Sequence, residues 1–316
     1  MSVGLVLGGL AVGFVVGLTG MGGGALMTPM LVFFFGVNPL AAVSSDLVTS
    51  AMMKPFGGAV HAHRGTVNRA LVGWLALGSV PSAFVGVLVL RALGSASAVD
   101  DVVTMALGAA LVVAALALIA NAYVSMSRGV RDRATGGMDG DDAQDPLRSV
   151  VRPLPTVLTG VVGGLVVGMT SVGSGSLMII ALMVIYPRLQ ASHLVGTDLV
   201  QAVPLVAAAA LGHLLFGDFR LNVTASLLLG SIPGVILGAL ASSRAPGGLI
   251  RRALAVVLLA SGLKLLGVAT TVTVVVLMAS IILGPLAWMG ARRRHGLPAL
   301  RNQSNLLGQP HRNTHC

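Results

Sequence analysis

The polar residues of this chain fall almost entirely between long apolar runs. Reading those runs against charged and turn-forming breaks predicts helices near 3–18, 24–36, 40–61, 69–91 and 102–121, and a second set near 154–169, 175–187, 192–215, 222–242, 251–266 and 270–290. Stretches such as "VTMALGAALVVAALALIA" (103–120) are apolar all round rather than alternating, so they read as helices and not as strands of a barrel. About 20 apolar residues suffice to cross a bilayer as a helix. The pattern therefore predicts an all-α, polytopic membrane protein whose main partner is the lipid bilayer. Two places break it: "TGMGGG" (19–24) and "TSVGSG" (170–175), where glycines and hydroxyls interrupt otherwise apolar sequence.

Composition agrees with that reading. Of 316 residues, 55% are hydrophobic and 9% charged, with no glutamate, and the mean hydropathy is +0.92; a soluble domain carries roughly 25% charged residues. A net charge of +10 would suit nucleic acid by itself. The arginines, however, sit in short loops, in one central segment and in the tail from Arg292, which is the distribution of the positive-inside rule. No nucleic-acid partner is expected. The single cysteine is Cys316, so no intrachain disulfide or cysteine metal site can form. The N-terminus "MSVGLVLGGLAVG" lacks a basic n-region and a small-residue cleavage site, and reads as a retained first span.

The two sets of helices are related. At a shift of 151 residues, 13–31 aligns with 164–182, and ten of those 19 positions are identical: Gly13, Val15, Val16, Gly17, Thr19, Gly22, Gly24, Leu26, Met27 and Leu31. After a one-residue insertion, at a shift of 152, Asp46 meets Asp198, His61 meets His213, Gly65 meets Gly217, and "LGSVP" (77–81) meets "LGSIP" (229–233). Glycine, aspartate, histidine and proline keeping register together indicate a duplication. The expected organisation is a first transmembrane repeat (1–121), a polar, solvated cytoplasmic linker (122–153), a second repeat (154–267), a final transmembrane helix (268–291) and a basic cytoplasmic tail (292–316). The fold class is thus a helical bundle of two inverted five-element repeats plus one C-terminal helix. Inversion follows from charge: with the five arginines of the linker inside, the inner loops also collect Arg64, Arg69, Arg188, Arg244, Arg251 and Arg252, which predicts an outside N-terminus and a cytoplasmic C-terminus.

Candidate chemistry sits at equivalent places in the two halves. Short, glycine-broken segments at matching positions of inverted repeats point to a transporter's central binding site. Unwound backbone within a membrane must line a cavity or be buried in protein, and a helix restarting after a break presents N–H donors and a positive dipole end to an anion. Gly22, Gly23 and Gly24 in the first break, and Gly173, Ser174 and Gly175 in the second, are the expected anion ligands. Ser44, Ser45 and Thr197 are expected to add hydroxyl donors. The competing reading is that small residues only let helices pack closely.

Asp46 ("SSD") and Asp198 ("GTD") lie in register within apolar sequence, where a carboxylate is costly and usually functional. They are expected to handle a coupling proton or sodium ion, helix capping being the alternative. Lys54 has no counterpart, since Val206 occupies its partner position. It could bring positive charge to the substrate path or snorkel to the interface. His61 and His213 are accessory candidates that could equally be interfacial caps. No metal site is expected, because two carboxylates without ligand-spaced histidines suit one poorly. A cation or metal-ion carrier using the Asp and His pairs is the alternative within transport. An intramembrane serine enzyme is disfavoured because "GSGS" lacks the G-x-S-x-G spacing.

The segments "GLTGMGGGALMTPMLVFFFGVNPLAAVSSDL" (17–47) and "GMTSVGSGSLMIIALMVIYPRLQASHLVGTDL" (168–199) resemble the duplicated signature of the TauE/SafE family of sulfite exporters and anion permeases. The similarity runs over about 5–290 and includes "HRGTVNRALVGWLALGSVPSAFVG" after the first motif. It implies a multi-pass carrier of the bacterial inner membrane for small sulfur-containing or organic anions such as sulfite or a sulfonate, with no cofactor and no enzymatic activity. This chain departs from the pattern in having "SVGSG" rather than a pure glycine run, and "SSD" where "GT" plus a small residue is more usual.

Overall fold

The computed structural model describes residues 2–19, 23–63, 67–134, 151–175, 177–186, 189, 191–241 and 247–280, with side chains left undescribed at 56–63, 121–134, 191–192, 247–249 and 251. Within these residues the chain is helical throughout, with no strand. The first group of helices is α1 (Val3–Thr19), α2 (Gly24–Phe35), α3 (Pro39–His63), α4 (Arg69–Ala92) and α5 (Ala96–Ala134). The second is α6 (Pro153–Thr170), α7 (Leu177–Ile185), α8 (Ala191–Phe216), α9 (Leu221–Ala241) and α10 (Gly247–Leu265). A last helix, α11 (Thr270–Ser280), follows. α5 continues as helix through Ala134, into the segment read from sequence as the start of a linker.

Local chemistry sets several of these boundaries. Asn68 caps α4, its side-chain oxygen accepting from the Leu71 N–H at 3.1 Å. Pro153 opens α6 at a position where its missing N–H would have had no intrahelical partner. α2 ends on Gly36 at φ 60°, a left-handed conformation that glycine reaches without penalty.

Among the described residues five stretches are long and apolar enough to cross a membrane: Arg69–Ala92, Ala96–Ala120, Pro153–Thr170, His193–Phe216 and Leu221–Ala241. The short elements differ. α2 has 12 residues and α7 has 9, which at about 1.5 Å per residue gives about 18 and about 14 Å, well under the ~30 Å of a hydrocarbon core. Neither is long enough to cross by itself.

Glycine seams hold the bundle. α1 packs most extensively on α9, and α4 on α6. Along the first seam Gly9 lies against Leu227 and Gly13 against Ser231, while Gly17 lies against Val235 and Gly238. Along the second, Gly78 meets Val157 and Gly86 meets Leu165. Residue numbers rise together in both seams, so each pair runs parallel. A Cβ at Gly9 or Gly86 would stand 2.8 and 2.9 Å from a backbone oxygen. Such close backbone approach is how helices gain dispersion contacts in lipid, where burying apolar surface between helices brings little hydrophobic gain.

α3 and α8 pack antiparallel in the middle: Ser44 near the start of α3 meets His213 near the end of α8, and Asn68, just past α3, meets Thr197 near the start of α8. α5 and α10 are antiparallel as well, Gly108 lying against Gly262 and Leu266, and Gly262 against Val112. All four of these pairings are retained when α1–α5 are exchanged for α6–α10.

Candidate functional site

The two backbone breaks lie against each other. Gly24, the first residue of α2, packs so closely on Ser171 that a Cβ there would stand 2.6 Å from the serine Oγ and 2.7 Å from its carbonyl carbon. Gly23 faces α3, where a Cβ would meet Ser50 Oγ at 3.5 Å and Asp46 Oδ1 at 3.8 Å. The second break needs unusual backbone. Ser171 has φ 62°, Gly173 φ 125° and Gly175 φ 108°. Both glycines occupy regions open to them and closed to most residues, whereas Ser171 pays of order 1–2 kcal/mol for a left-handed conformation. Its side chain is held in place by Asp46.

Asp46 is fully buried in the middle of α3, 0% exposed. Oδ2 accepts from Thr28 Oγ1 at 2.9 Å and from Ser171 Oγ, and Oδ1 accepts from Ser50 Oγ at 3.2 Å. One carboxylate thus ties α2, α3 and the second break together. A helical capping role is ruled out by position: neither Asp46 nor Asp198 lies at a helix start.

Two turns further along α3, Lys54 is 8% exposed, and its Nζ donates to Ser174 Oγ at 2.5 Å. Asp46, Ser50 and Lys54 recur at four-residue spacing, so they form one stripe on one face of α3. Ser174 accepts from the lysine, which leaves its own O–H proton available to a ligand. Lys54 also interacts electrostatically with both Asp198 and Asp46. Asp198, in α8, is 1% exposed, and neither of its carboxylate oxygens has a hydrogen-bond partner among the described residues.

Several expected donors serve other bonds. Ser44 Oγ bonds the Leu40 carbonyl at 2.8 Å and His213 Nδ1 at 2.8 Å, and His213 Nε2 contacts the Gly168 carbonyl at 2.8 Å. The carbonyl can only accept, so Nε2 carries a proton and the ring bridges α3, α8 and α6. Thr197 Oγ1 accepts from the Asn68 N–H at 3.0 Å and secures the start of α4. Ser45 Oγ is buried without a partner. Gly22 lies outside the described residues, as does the His61 side chain.

Residues 5–265 match the model of the family described as "Sulfite exporter TauE/SafE". The chain belongs to that family. Over 272 residues it is 39% identical to "Probable membrane transporter protein YjnA" of Bacillus subtilis (strain 168), an alignment covering 84% of this chain and 100% of the relative. No solved structure matches it. With five membrane-crossing helices on the page, this TauE/SafE-family chain is a membrane transporter.

In this family member two site residues escape a reading of the sequence. Thr28 and Gln201 carry no repeat signal, their register partners being Ile179 and Thr49. Gln201 Nε2 donates to Ser79 Oγ at 2.5 Å while its Oε1 is buried and unpartnered. Ser171 was legible as a hydroxyl in the break, but its bond to Asp46 joins residues 125 apart. The polar stripe at 46, 50 and 54 was a readable signal, because four-residue spacing places those side chains on one helix face.

Proposed function

We propose that this transporter carries a small anion, sulfite or an organosulfonate, by alternating access across the bacterial inner membrane, driven by a proton or sodium gradient. One observation carries the reading: the start of α2 at Gly24 abuts Ser171, the residue that ends α6 and opens the second break, and the one lysine of α3 reaches that break at Ser174. The first N–H groups of a helix have no intrahelical acceptor and sit at the positive end of its dipole. The start of α2 and the ammonium group of Lys54 favour a negative ligand beside them. Gly23, Gly24, Gly173, Gly175 and Ser174 supply backbone and hydroxyl donors, and Lys54 supplies the countercharge. Asp46 shapes the site by fixing Ser171 and aligning the two breaks.

The helix pairings support alternating access. An arrangement that exchanges onto itself, with α3 against α8 and α5 against α10 antiparallel, is what two inverted repeats produce. In such a protein one set of packed helices can rock against the other around a fixed site. The charge distribution of the loops supports an outside N-terminus and a cytoplasmic C-terminus.

The test is flux of radiolabelled sulfite, sulfoacetate and a panel of small oxyanions into proteoliposomes holding the full chain, under imposed pH or sodium gradients. Sulfite or sulfonate uptake above protein-free vesicles is expected. Absence of flux for every anion offered would sink the anion reading.

A further inference from the structure

We infer that the coupling cation binds on one repeat only, at Asp198 together with the side-chain carbonyl of Gln201, and that Asp46 is a fixed structural anion that takes no part in coupling. This rests on the reading of the protein as a gradient-driven carrier and narrows it to a single site.

The argument begins with what each carboxylate touches. Asp46 accepts three hydroxyl groups, from Thr28, Ser50 and Ser171. At the register positions of those donors the other half carries Ile179, Ala202 and Gly20. Lys54 is likewise replaced, by Val206. The second repeat has kept the aspartate and lost every group that satisfies it. Accordingly both Asp198 oxygens lack a partner among the described residues, although the side chain is 1% exposed. Lys54 supplies some countercharge but bonds Ser174 rather than Asp198; a buried carboxylate without hydrogen bonds costs several kcal/mol, a cost that a cation bound for part of the cycle would relieve.

Gln201 completes the site. It lies three residues after Asp198 and therefore on the same face of α8. Ser79 of α4 fixes its amide by accepting from Nε2, which leaves Oε1 free, fully buried and without a donor. Two carboxylate oxygens and an amide oxygen, one helix turn apart and all unpaired, form an oxygen-only donor set. That chemistry suits a hard monovalent cation: a sodium ion bound by all three, or a proton on the carboxyl with the amide oxygen as its acceptor.

Among the described side chains the charged groups around Asp198 are few. α3 presents Lys54 and, beyond it, Asp46, and its His61 and His63 lie outside the described side chains. α8 itself carries His193 and His213, α4 carries Arg69 and Arg91 at its ends, and α6 and α7 contain no ionisable side chain. Lys54 therefore sits between the anion site at Ser174 and the cation site at Asp198. A cation arriving at Asp198 weakens the hold of that carboxylate on the lysine and strengthens the lysine's field at the anion.

Cation binding can be read without any anion. Purified full-length protein is melted across sodium chloride concentrations, with choline chloride holding ionic strength, and separately across pH without sodium. The wild type is expected to melt higher with sodium, or to show a pH-dependent melting temperature, according to which cation it takes. Asp198→Asn is expected to remove that response and to raise the unliganded melting temperature, because a neutral amide replaces an unsatisfied carboxylate. Gln201→Leu is expected to raise the half-saturating sodium concentration about tenfold, or to shift the pH midpoint by about one unit, an amount set by one lost ligand. Asp46→Asn lowers stability but keeps the response. A wild type indifferent to both cations, or a response that survives Asp198→Asn, overturns the assignment. In vesicles that transport sulfite, the ratio of gradient-driven to exchange flux falls to one in Asp198→Asn; an unchanged ratio also overturns it. Sulfite flux failing in the wild type while the melting response is present would count against the anion reading alone.

Discussion

Gly24→Ala tests whether the contact between the two breaks matters. The new methyl would stand 2.6 Å from Ser171 Oγ and 2.7 Å from the Ser171 carbonyl carbon, against about 3.4 Å for an ordinary contact. Restoring 3.4 Å means parting the breaks by more than 3.4 − 2.7 = 0.7 Å, since the Ser171 carbonyl oxygen lies nearer still and, being backbone, cannot swing away. Overpacking of this kind costs ~1–3 kcal/mol, offset by at most ~1 kcal/mol from replacing a helical glycine. The net expectation is a loss of about 1–2 kcal/mol in stability. At a reacting centre a displacement near 1 Å can cost ~100-fold, and the same intolerance at an anion cradle predicts at least a tenfold rise in the sulfite concentration that half-stabilises the protein. Gly73→Ala is the comparator: it too is a helical glycine, but it faces open space, with nothing within 4 Å of the new Cβ. It should stabilise by ~0.5–1 kcal/mol. Both variants would be melted in detergent with and without sulfite. If Gly24→Ala behaves as Gly73→Ala does, the breaks do not meet as described and the proposed anion cradle loses its basis.

Three further changes probe neighbouring links. Asp46→Asn removes the charge from bonds to Thr28, Ser50 and Ser171, which are worth ~1.5–3 kcal/mol each when charge-assisted; a loss of at least about 2 kcal/mol in thermal or denaturant unfolding is expected, and wild-type stability would contradict the clamp. Lys54→Met keeps the apolar stem and removes the ammonium, so sulfite-dependent stabilisation should weaken at least tenfold in titrated melts, whereas unchanged sulfite affinity would place the anion elsewhere. His213→Leu deletes the bridge from Ser44 to the Gly168 carbonyl and should cost about 2 kcal/mol while sulfite affinity stays within twofold; a large affinity loss would return this histidine to the binding site.

How far the site could be read in advance depends on the range of each interaction. Asp46 and Asp198 were visible because a carboxylate in apolar sequence is rare, and their register exposed the duplication. Ser44 and Thr197 were expected beside the substrate and serve structural bonds instead. A helix turns about 100° per residue, so Ser44, two residues before Asp46, points nearly the opposite way, toward His213. The donors that matter to Asp46, at positions 28 and 171, come from a different helix and from the other half of the chain, where no local spacing could announce them.

Hydropathy alone made a membrane protein of apolar helices legible, and residues matching in register linked its two halves, each interrupted once by a glycine-rich stretch between apolar segments. Those properties follow from hydropathy, glycine and register, all of which are local or periodic. It took the folded packing to show that Gly24 meets Ser171, that Asp46 is saturated with hydroxyl donors while Asp198 has none among the described residues, and that Lys54 of the first half reaches into the break of the second. Packing makes these choices, because a buried polar group is defined by the partners the fold brings within about 3 Å of it, and the sequence places those partners up to 169 residues away.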